Sequence, residues 1–228
     1  MTDNHQFILT EDGSHTLVHQ DLGVTYHSKY GAIQESQTIF IDAGLHFQLD
    51  KIQTSTVSIL EMGFGTGLNA FMTFLQASKY PHIHFQYTAL EAFPISADQA
   101  KELNYPQLFA AGDQQAIFDQ MHLCPFMEWQ QLAPNFEFCK QMDKFEHLQA
   151  ENAYDLVYYD AFAPTAQPEL WTEELFTQIY RAMRSNAVLT TYCAKGSFKR
   201  MLRALGFEVN SLPGPKGKRE MTQGIKRG

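Results

Sequence analysis

Three glycines at alternating positions, Gly63, Gly65 and Gly67, belong to the segment 61–69 that directly follows the apolar run 56–60. In α/β proteins a buried strand that ends in a glycine-rich turn and then opens a helix brings the backbone close to a nucleotide-like ligand. Glycine allows this because it has no Cβ, so the chain can turn tightly and leave room for the ligand. Residues 61–69 are therefore predicted to form a ligand-binding strand–turn–helix unit, although a tight connection without a ligand would also carry such glycines.

The turn differs from both common phosphate-binding patterns. It lacks the lysine of G-x-x-x-x-G-K-[ST], and its third glycine falls one residue earlier than in G-x-G-x-x-G. The sequence places no Lys or Arg beside the turn, and Glu61 precedes the first glycine. An acid at this position repels phosphate and suits a cationic ligand. S-adenosylmethionine (SAM) has a sulfonium, an amine and no phosphate, so we predict it as the cofactor, held by Glu61, Gly63, Phe64, Gly65, Thr66, Gly67 and Asn69.

A second predicted strand, residues 82–90, ends in Glu91. In nucleotide-binding α/β folds an acid about 20 residues beyond the glycine turn accepts hydrogen bonds from the ribose hydroxyls. The position of Glu91 favours this role over that of an incidental surface charge.

A third predicted strand, residues 154–160, ends in Asp160 and continues into a loop that Pro164 and Pro168 stiffen. The carboxyl ends of parallel strands meet at one edge of a sheet, so Glu61, Glu91 and Asp160 are expected to converge on one crevice. A primary amine is mostly protonated at neutral pH. Asp160 is predicted to bind such an ammonium, accept its proton and contact the cofactor, while the alternative is that it caps the following turn.

Strand and helix patterns alternate from residue 56 onward, which is typical of a parallel α/β sheet with right-handed crossovers. The chain ends differently, with two strands around the Gly/Pro-rich residues 213–219, which predicts an antiparallel hairpin at the edge of the sheet. Residues 1–50 show strand-like pieces, including 38–41, and are expected to form an N-terminal β extension or lid. Residues 51–228 are expected to form the main domain.

Charge is distributed unevenly along the chain of 228 residues, whose net charge is −8. Residues 195–228 carry nine basic and two acidic residues, whereas the preceding 194 carry eight basic and 23 acidic residues. This asymmetry indicates an anionic partner, although a solvated basic tail would also produce it. The three cysteines are isolated, and no signal or membrane-spanning segment is evident, which favours the cytoplasm and argues against a metal site.

Several motifs in combination resemble the methyltransferase family of tRNA 5-methylaminomethyl-2-thiouridine biosynthesis. They are E-x-G-F-G-T-G-x-N at 61–69, Y-D-A-F-A-P at 159–164 with Pro168 and Trp171, and K-R-E-M at 218–221. Tyr26 and Ser28, followed by the G-x-x-E-S-like residues 31–36, resemble the family's N-terminal segment. The resemblance covers residues 23–227.

This resemblance implies a class I, Rossmann-like SAM-dependent methyltransferase that modifies the exocyclic amine of 5-aminomethyl(-2-thio)uridine at tRNA position 34. It implies a separate FAD-dependent oxidase as a partner, because the family's second half is missing from this sequence. Family members carry Gly-Asp near the adenine, and here the nearest acid is Asp143. The predicted substrate-binding residues are Tyr26, Ser28, Glu35, Phe162, Pro164, Lys195, Lys218, Arg219 and Glu220, and Lys199, Arg200 and Arg203 are further candidates for phosphate contacts.

Two other functions share some of these features. A small-molecule amine transferase of the polyamine synthase kind would use the same fold and strand-end acids without a basic C-terminus. A non-catalytic adenosyl- or RNA-binding module would bind its ligand without turnover. An NAD-dependent oxidoreductase fits less well, because the glycine spacing differs.

Overall fold

The structure, a computed structural model, describes residues 5–228 and contains two sheets. Strands β1 (His5–Leu9), β2 (His15–His19) and β3 (Val24–Thr25) form a small antiparallel sheet. The large sheet contains eight strands in the order β10-β11-β9-β8-β4-β5-β7-β6. These are β4 (Thr56–Met62), β5 (His84–Leu90), β6 (Trp129–Ala133), β7 (Phe136–Gln141), β8 (Tyr154–Tyr159), β9 (Met183–Thr191), β10 (Phe207–Pro213) and β11 (Glu220–Lys226).

The predicted mostly parallel sheet with an antiparallel C-terminal hairpin is confirmed. Strands β7, β5, β4, β8 and β9 pair in parallel, while β11 runs antiparallel to both β9 and β10. Strand β6, from the region that the sequence indicates only as an insertion, adds an antiparallel strand at the opposite edge. The chain order reverses between β4 and β8, and this is the point at which open α/β sheets bind ligands.

Helices connect the strands largely where the periodicity predicts them. They span Leu68–Ala77, Ala97–Glu102, Tyr105–Leu108, Gln115–Leu123, Glu173–Ala182 and Gly196–Ala204, with short 3₁₀ turns at Gly112–Gln114, Phe145–His147 and Pro168–Trp171. The sequence pattern after the Asp160 strand also predicts one helix over residues 168–184, and this prediction is wrong in extent. Thr172 starts a new helix by accepting a hydrogen bond from the Leu175 amide, and the backbone becomes extended at Met183.

The strand-like interpretation of residues 38–41 is wrong, because this segment is helical. A continuous helix covers residues 32–49 and includes ten residues in π-helical geometry, Gln37–His46. Ile39, Phe40 and Ile41 are fully or almost fully buried. Burial against the sheet thus overrides the local preference of β-branched residues for strands.

Two clusters of buried apolar side chains cover the two faces of the large sheet. Ile59 belongs to one and Leu60 to the other, as expected for neighbours on a strand whose side chains alternate between faces. Within residues 5–228, no helix is long and apolar enough to span a membrane, and no group of three or more His, Cys, Asp or Glu side chains is arranged to hold a metal ion.

Candidate active site

Each of the three turn glycines has a positive φ and faces a different neighbour. A Cβ on Gly63 (φ +99°) would lie 2.7 Å from the Asp160 carbonyl oxygen. A Cβ on Gly65 (φ +51°) would lie 3.0 Å from the Tyr26 ring, and one on Gly67 (φ +76°) would lie 2.8 Å from His122 Nε2. The turn between β4 and helix Leu68–Ala77 therefore needs glycine both for its backbone angles and for the close approach of other chain segments.

Glu91, at the end of β5, is attached to this turn. Its two carboxylate oxygens accept hydrogen bonds from the backbone amides of Gly65 (2.9 Å) and Phe93 (2.8 Å). Burial raises the pKa of Glu91, and these backbone hydrogen bonds oppose the shift. The carboxylate is thereby held in a fixed orientation next to the glycine turn.

A cavity of about 400 Å³ lies beyond the carboxyl ends of β4, β5 and β8, within the usual size range of small-molecule sites. Its walls include Gly63, Gly65, Thr66, Glu91 and Asp160. The rings of Phe64 and Phe93 also line it. The segment after β7 contributes Lys144, Phe145 and Glu146, and the segment after β8 contributes Phe162, Gln167, Glu169 and Leu170. A glycine cradle, an oriented carboxylate and aromatic walls fit an adenosyl group.

The structure brings other predicted cofactor residues together beneath this cavity rather than in its wall. Glu61 is fully buried and accepts hydrogen bonds from Tyr87 Oη (2.9 Å) and Asn69 Nδ2 (3.0 Å). Gly67 faces His122 behind the turn. Asp143 points elsewhere, since its carboxylate bonds to His147 Nδ1 at 2.6 Å. The acid from this segment that lines the cavity is Glu146, three residues further on.

The sequence has no Lys or Arg beside the glycine turn, but the fold brings two lysines close to it. Lys144 lines the cavity, and the ammonium of buried Lys140 lies 5.7 Å from the centre of the Phe64 ring. Both residues come from β7 or the loop after it. The sequence separates them from the turn, and the parallel pairing of β7 with β5 brings them back to it.

Asp160 lies where this first cavity meets a second one of about 460 Å³. Five residues line both cavities: Tyr26, His27, Asp160, Ala161 and Phe162. Asp160 Oδ2 accepts a hydrogen bond from Asn69 Nδ2 at 2.9 Å. Asn69 is distant in sequence, whereas a residue that caps a turn bonds to groups within that turn. Burial, followed by the negative charge of Glu35, raises the pKa of Asp160 to about 7.

The second cavity contains an ion pair between the buried Glu35 carboxylate and the partly exposed Lys218. Glu35 accepts hydrogen bonds from Lys218 Nζ and from the Ser28 amide. The Lys218 ammonium also lies 4.1 Å from the centre of the Tyr192 ring, whose hydroxyl donates to the Ala161 carbonyl at 2.7 Å. The N-terminal segment and the C-terminal hairpin loop, far apart in sequence, thus form one wall of this cavity.

Several predicted substrate residues lie outside both cavities. Lys195 and Arg219 are exposed, Pro164 is half-buried, and Glu220 forms an ion pair with Lys199 at 2.7 Å. Lys199 itself is buried and also bonds to Ser211 Oγ. Its interpretation as a phosphate contact is therefore wrong, because helix Gly196–Ala204 turns this side chain toward the hairpin rather than toward solvent.

Sequence reasoning missed several polar side chains in the cavities, among them His27, Tyr192 and Glu146. His27 is buried, and burial lowers its pKa to about 4, so its ring is neutral at neutral pH. Tyr192 follows the carboxyl end of β9, and that position alone is a usable signal. Glu146 lies in the short 3₁₀ turn Phe145–His147 and His27 lies on a loop, and no periodicity marks either of them.

Comparison with known proteins gives three kinds of match. Residues 135–227 match a family described as "S-adenosyl-L-methionine-dependent methyltransferase". The tRNA 5-methylaminomethyl-2-thiouridine biosynthesis bifunctional protein MnmC of Actinobacillus pleuropneumoniae is 29% identical over 236 residues, which is 96% of this chain and 35% of that protein. The protein of the same name from Methylobacillus flagellatus is 31% identical over 89% of this chain and 32% of its own length.

Solved structures agree on the fold. MnmC2 from Aquifex aeolicus superposes with a TM-score of 0.79 at 24% identity, covering 96% of this chain and 69% of that one. Spermidine synthase from Thermotoga maritima superposes with a TM-score of 0.53 at 15% identity, covering 98% and 72%. The chain spans about a third of the length of the curated relatives, and the resemblance indicated by its motifs is confirmed.

Proposed function

We propose that this chain, a SAM-dependent methyltransferase related to the MnmC proteins, methylates the exocyclic amine of 5-aminomethyl(-2-thio)uridine at tRNA wobble position 34. The product would be 5-methylaminomethyl(-2-thio)uridine. The observation that carries the proposal is the meeting of two cavities at one carboxylate, Asp160. One cavity suits an adenosyl cofactor, and the other presents acids to an amine.

The first cavity would hold SAM through groups of known position. The Glu91 carboxylate would accept hydrogen bonds from the ribose hydroxyls, and the Gly65 and Phe93 amides hold it in a fixed orientation. Phe93 and Phe145 offer apolar surface for a planar base, and Glu146 replaces Asp143 as the nearby acid. When bound, SAM supplies an electrophilic methyl group on a sulfonium, which the neighbouring carboxylates stabilise electrostatically.

The second cavity would receive the uridine through its acidic wall. Glu35 and Asp160 carry charge that attracts an ammonium, and Lys218 partly balances it. Asp160 then takes one proton from the ammonium and leaves the nitrogen lone pair free to attack. The T-shaped pair of Tyr26 and Phe162, with ring centres 5.0 Å apart, lines both cavities beside Asp160, where the reacting atoms would meet.

This proton transfer predicts a pH dependence. Asp160 must be ionised to accept a proton, and its pKa is raised to about 7. We therefore expect the single-turnover rate of methyl transfer to rise with pH and to reach half its plateau near pH 7. An ordinary aspartate would give a profile that is flat above about pH 5. Single-turnover rates with saturating SAM and tRNA between pH 5 and 9 test this, and a flat profile over that range would contradict the role of Asp160.

Exposed basic residues beside the second cavity would bind the tRNA backbone. Lys195 follows β9 close to Tyr192, and Arg219 follows Lys218. We expect Lys195→Ala with Arg219→Ala to weaken tRNA binding and to lower the slope of log Kd against log salt by about one per lost phosphate contact. Filter binding between 50 and 300 mM salt measures this.

The matched control is Lys79→Ala. Lys79 is an exposed lysine just beyond the C-terminal end of helix Leu68–Ala77, at the opposite edge of the sheet from the cavities. It should leave both affinity and slope unchanged. A wild-type slope close to zero would refute the electrostatic contact.

Mass spectrometry of tRNA nucleosides tests substrate and reaction together. Hypomodified tRNA incubated with the protein and SAM should gain one methyl group on 5-aminomethyluridine. Putrescine with decarboxylated SAM serves as the comparison, because an amine transferase of the polyamine kind would use that pair without RNA. Turnover of putrescine and none of tRNA would overturn the proposed substrate.

A further inference from the structure

A chain of buried hydrogen bonds connects Asp160 to the interior of the sheet. Asn69 Nδ2 donates to Asp160 Oδ2 at 2.9 Å and to Glu61 Oε1 at 3.0 Å. Tyr87 Oη donates to the other Glu61 oxygen at 2.9 Å. Asn69, Glu61 and Tyr87 are all buried and lie beneath the first cavity rather than in its wall.

The two carboxyl groups fix the orientation of the Asn69 amide. An amide NH₂ has two donor hydrogens, and here each is directed to a different carboxyl group. The flipped amide would place its oxygen against two acceptors, which is unfavourable. Tyr87 holds Glu61 in turn, so the orientation of Asn69 is determined from the core outward.

The other half of the Asn69 side chain argues against a purely structural role. Its Oδ1 atom is buried and has no hydrogen-bond partner among residues 5–228. A buried unpaired carbonyl oxygen destabilises the fold, and an apolar side chain of similar shape would avoid that cost. The contribution of Asn69 is therefore its donor group, and that donor reaches Asp160.

We propose that Asn69 and Glu61 are positioning residues: they fix the rotation of the Asp160 carboxylate through Oδ2 and so reserve Oδ1 for the proton of the acceptor amine. This inference rests on the proposed function for the identity of the amine, and on geometry alone for the hydrogen-bond chain.

The chain also sets the charge state of the site. Burial raises the pKa of Glu61 well above its usual range, the Tyr87 and Asn69 hydrogen bonds oppose this shift, and the negative charge of Asp160 adds to it. The Asn69 hydrogen bond stabilises the ionised form of Asp160 and lowers its pKa. The titratable groups that face Asp160 from the surrounding elements are Glu35, Lys218, Tyr192, Glu61, Tyr87 and His27.

The test is a direct titration of Asp160 in the protein without SAM or tRNA, followed by ¹³C NMR of labelled aspartate carboxyls and assigned with Asp160→Asn. In Asn69→Leu the midpoint should rise by about one pH unit or more, because a hydrogen bond to the charged form is lost. The half-maximal pH of methyl transfer should shift equally, while SAM affinity stays within a few-fold. Asn69→Ser, whose shorter side chain also loses the bond, repeats the test if the leucine variant fails to fold.

Thr73→Val is the matched control. Thr73 lies one turn further along the same helix, is equally buried, and donates to the Asn69 carbonyl at 2.7 Å. This variant should leave the Asp160 midpoint unchanged. An unmoved midpoint in both Asn69 variants, or an equal shift in Thr73→Val, would overturn the inference. A shifted midpoint without methylated uridine would refute only the proposed acceptor.

Discussion

Asp160→Asn is expected to lower the rate of methyl transfer by about 10²–10⁴-fold, the usual effect of losing a positioned proton acceptor. The amide keeps the shape of the side chain and an oxygen for Asn69, but it cannot take the proton of an ammonium. SAM affinity should change by only a few-fold, because Glu91 and the glycine turn are untouched. Labelled methyl incorporation measures the rate, and calorimetry measures the affinity.

The unfolding stability of Asp160→Asn serves as a control, because it shows whether the variant is folded. Asp160 keeps its proton in the folded state up to a pH of about 7 but loses it near pH 4 when unfolded. Stability therefore falls as pH rises between these values, and the loss is complete above pH 7. Asp160→Asn removes this loss and should unfold at higher urea concentration than wild type at pH 8. Full turnover in the variant would refute the role of Asp160, whatever its stability.

Gly63→Ala is expected to abolish SAM binding, raising Kd at least about 100-fold, and to destabilise the fold by about 1–3 kcal/mol. The new methyl group would lie 2.7 Å from the Asp160 carbonyl oxygen, in a backbone conformation with φ +99°. Relief of the clash requires the glycine turn and the Asp160 loop to move apart, and both form the cavity wall. Calorimetric titration with SAM and urea unfolding measure the two effects.

Alanine substitutions at two other glycines distinguish the effect of the steric clash at Gly63 from that of backbone strain. Gly23 has a positive φ of +62° but nothing within 4 Å of a Cβ, so Gly23→Ala measures backbone strain alone. Gly112 has open space and no positive φ, so Gly112→Ala should be close to wild type. SAM affinity in Gly63→Ala equal to that in Gly23→Ala would show that the close approach to Asp160 does not matter.

Much of the main sheet was predictable because its signals are local. Strand and helix periodicities from residue 56 onward, and the turn residues of the C-terminal hairpin, predict most strands of the sheet within a few residues of their observed bounds, but not the elements of residues 105–134. For residues 38–41 the same reasoning gave a wrong prediction. Their β-branched and aromatic residues favour a strand, yet the helix over 32–49 buries them against the sheet.

The roles of individual acids were harder to predict than their positions. Glu61, Glu91 and Asp160 all lie at strand ends, as expected, but Glu61 is turned into the core, where Tyr87 and Asn69 bind it. Asp143 bonds to His147 instead of lining the cavity, and Glu146 lines it. Side-chain direction depends on partners that are distant in sequence, so spacing along the chain cannot reveal it.

The sequence by itself determined the glycine turn, the alternation of strands and helices and the three acids at the strand ends, because backbone conformation and strand periodicity are encoded locally. Only the tertiary structure decided that Asp160 lies between two cavities, that Lys218 pairs with Glu35, and that Lys199 is buried instead of exposed. These facts arise from contacts between segments up to 183 residues apart, and such contacts form only when the sheet is assembled.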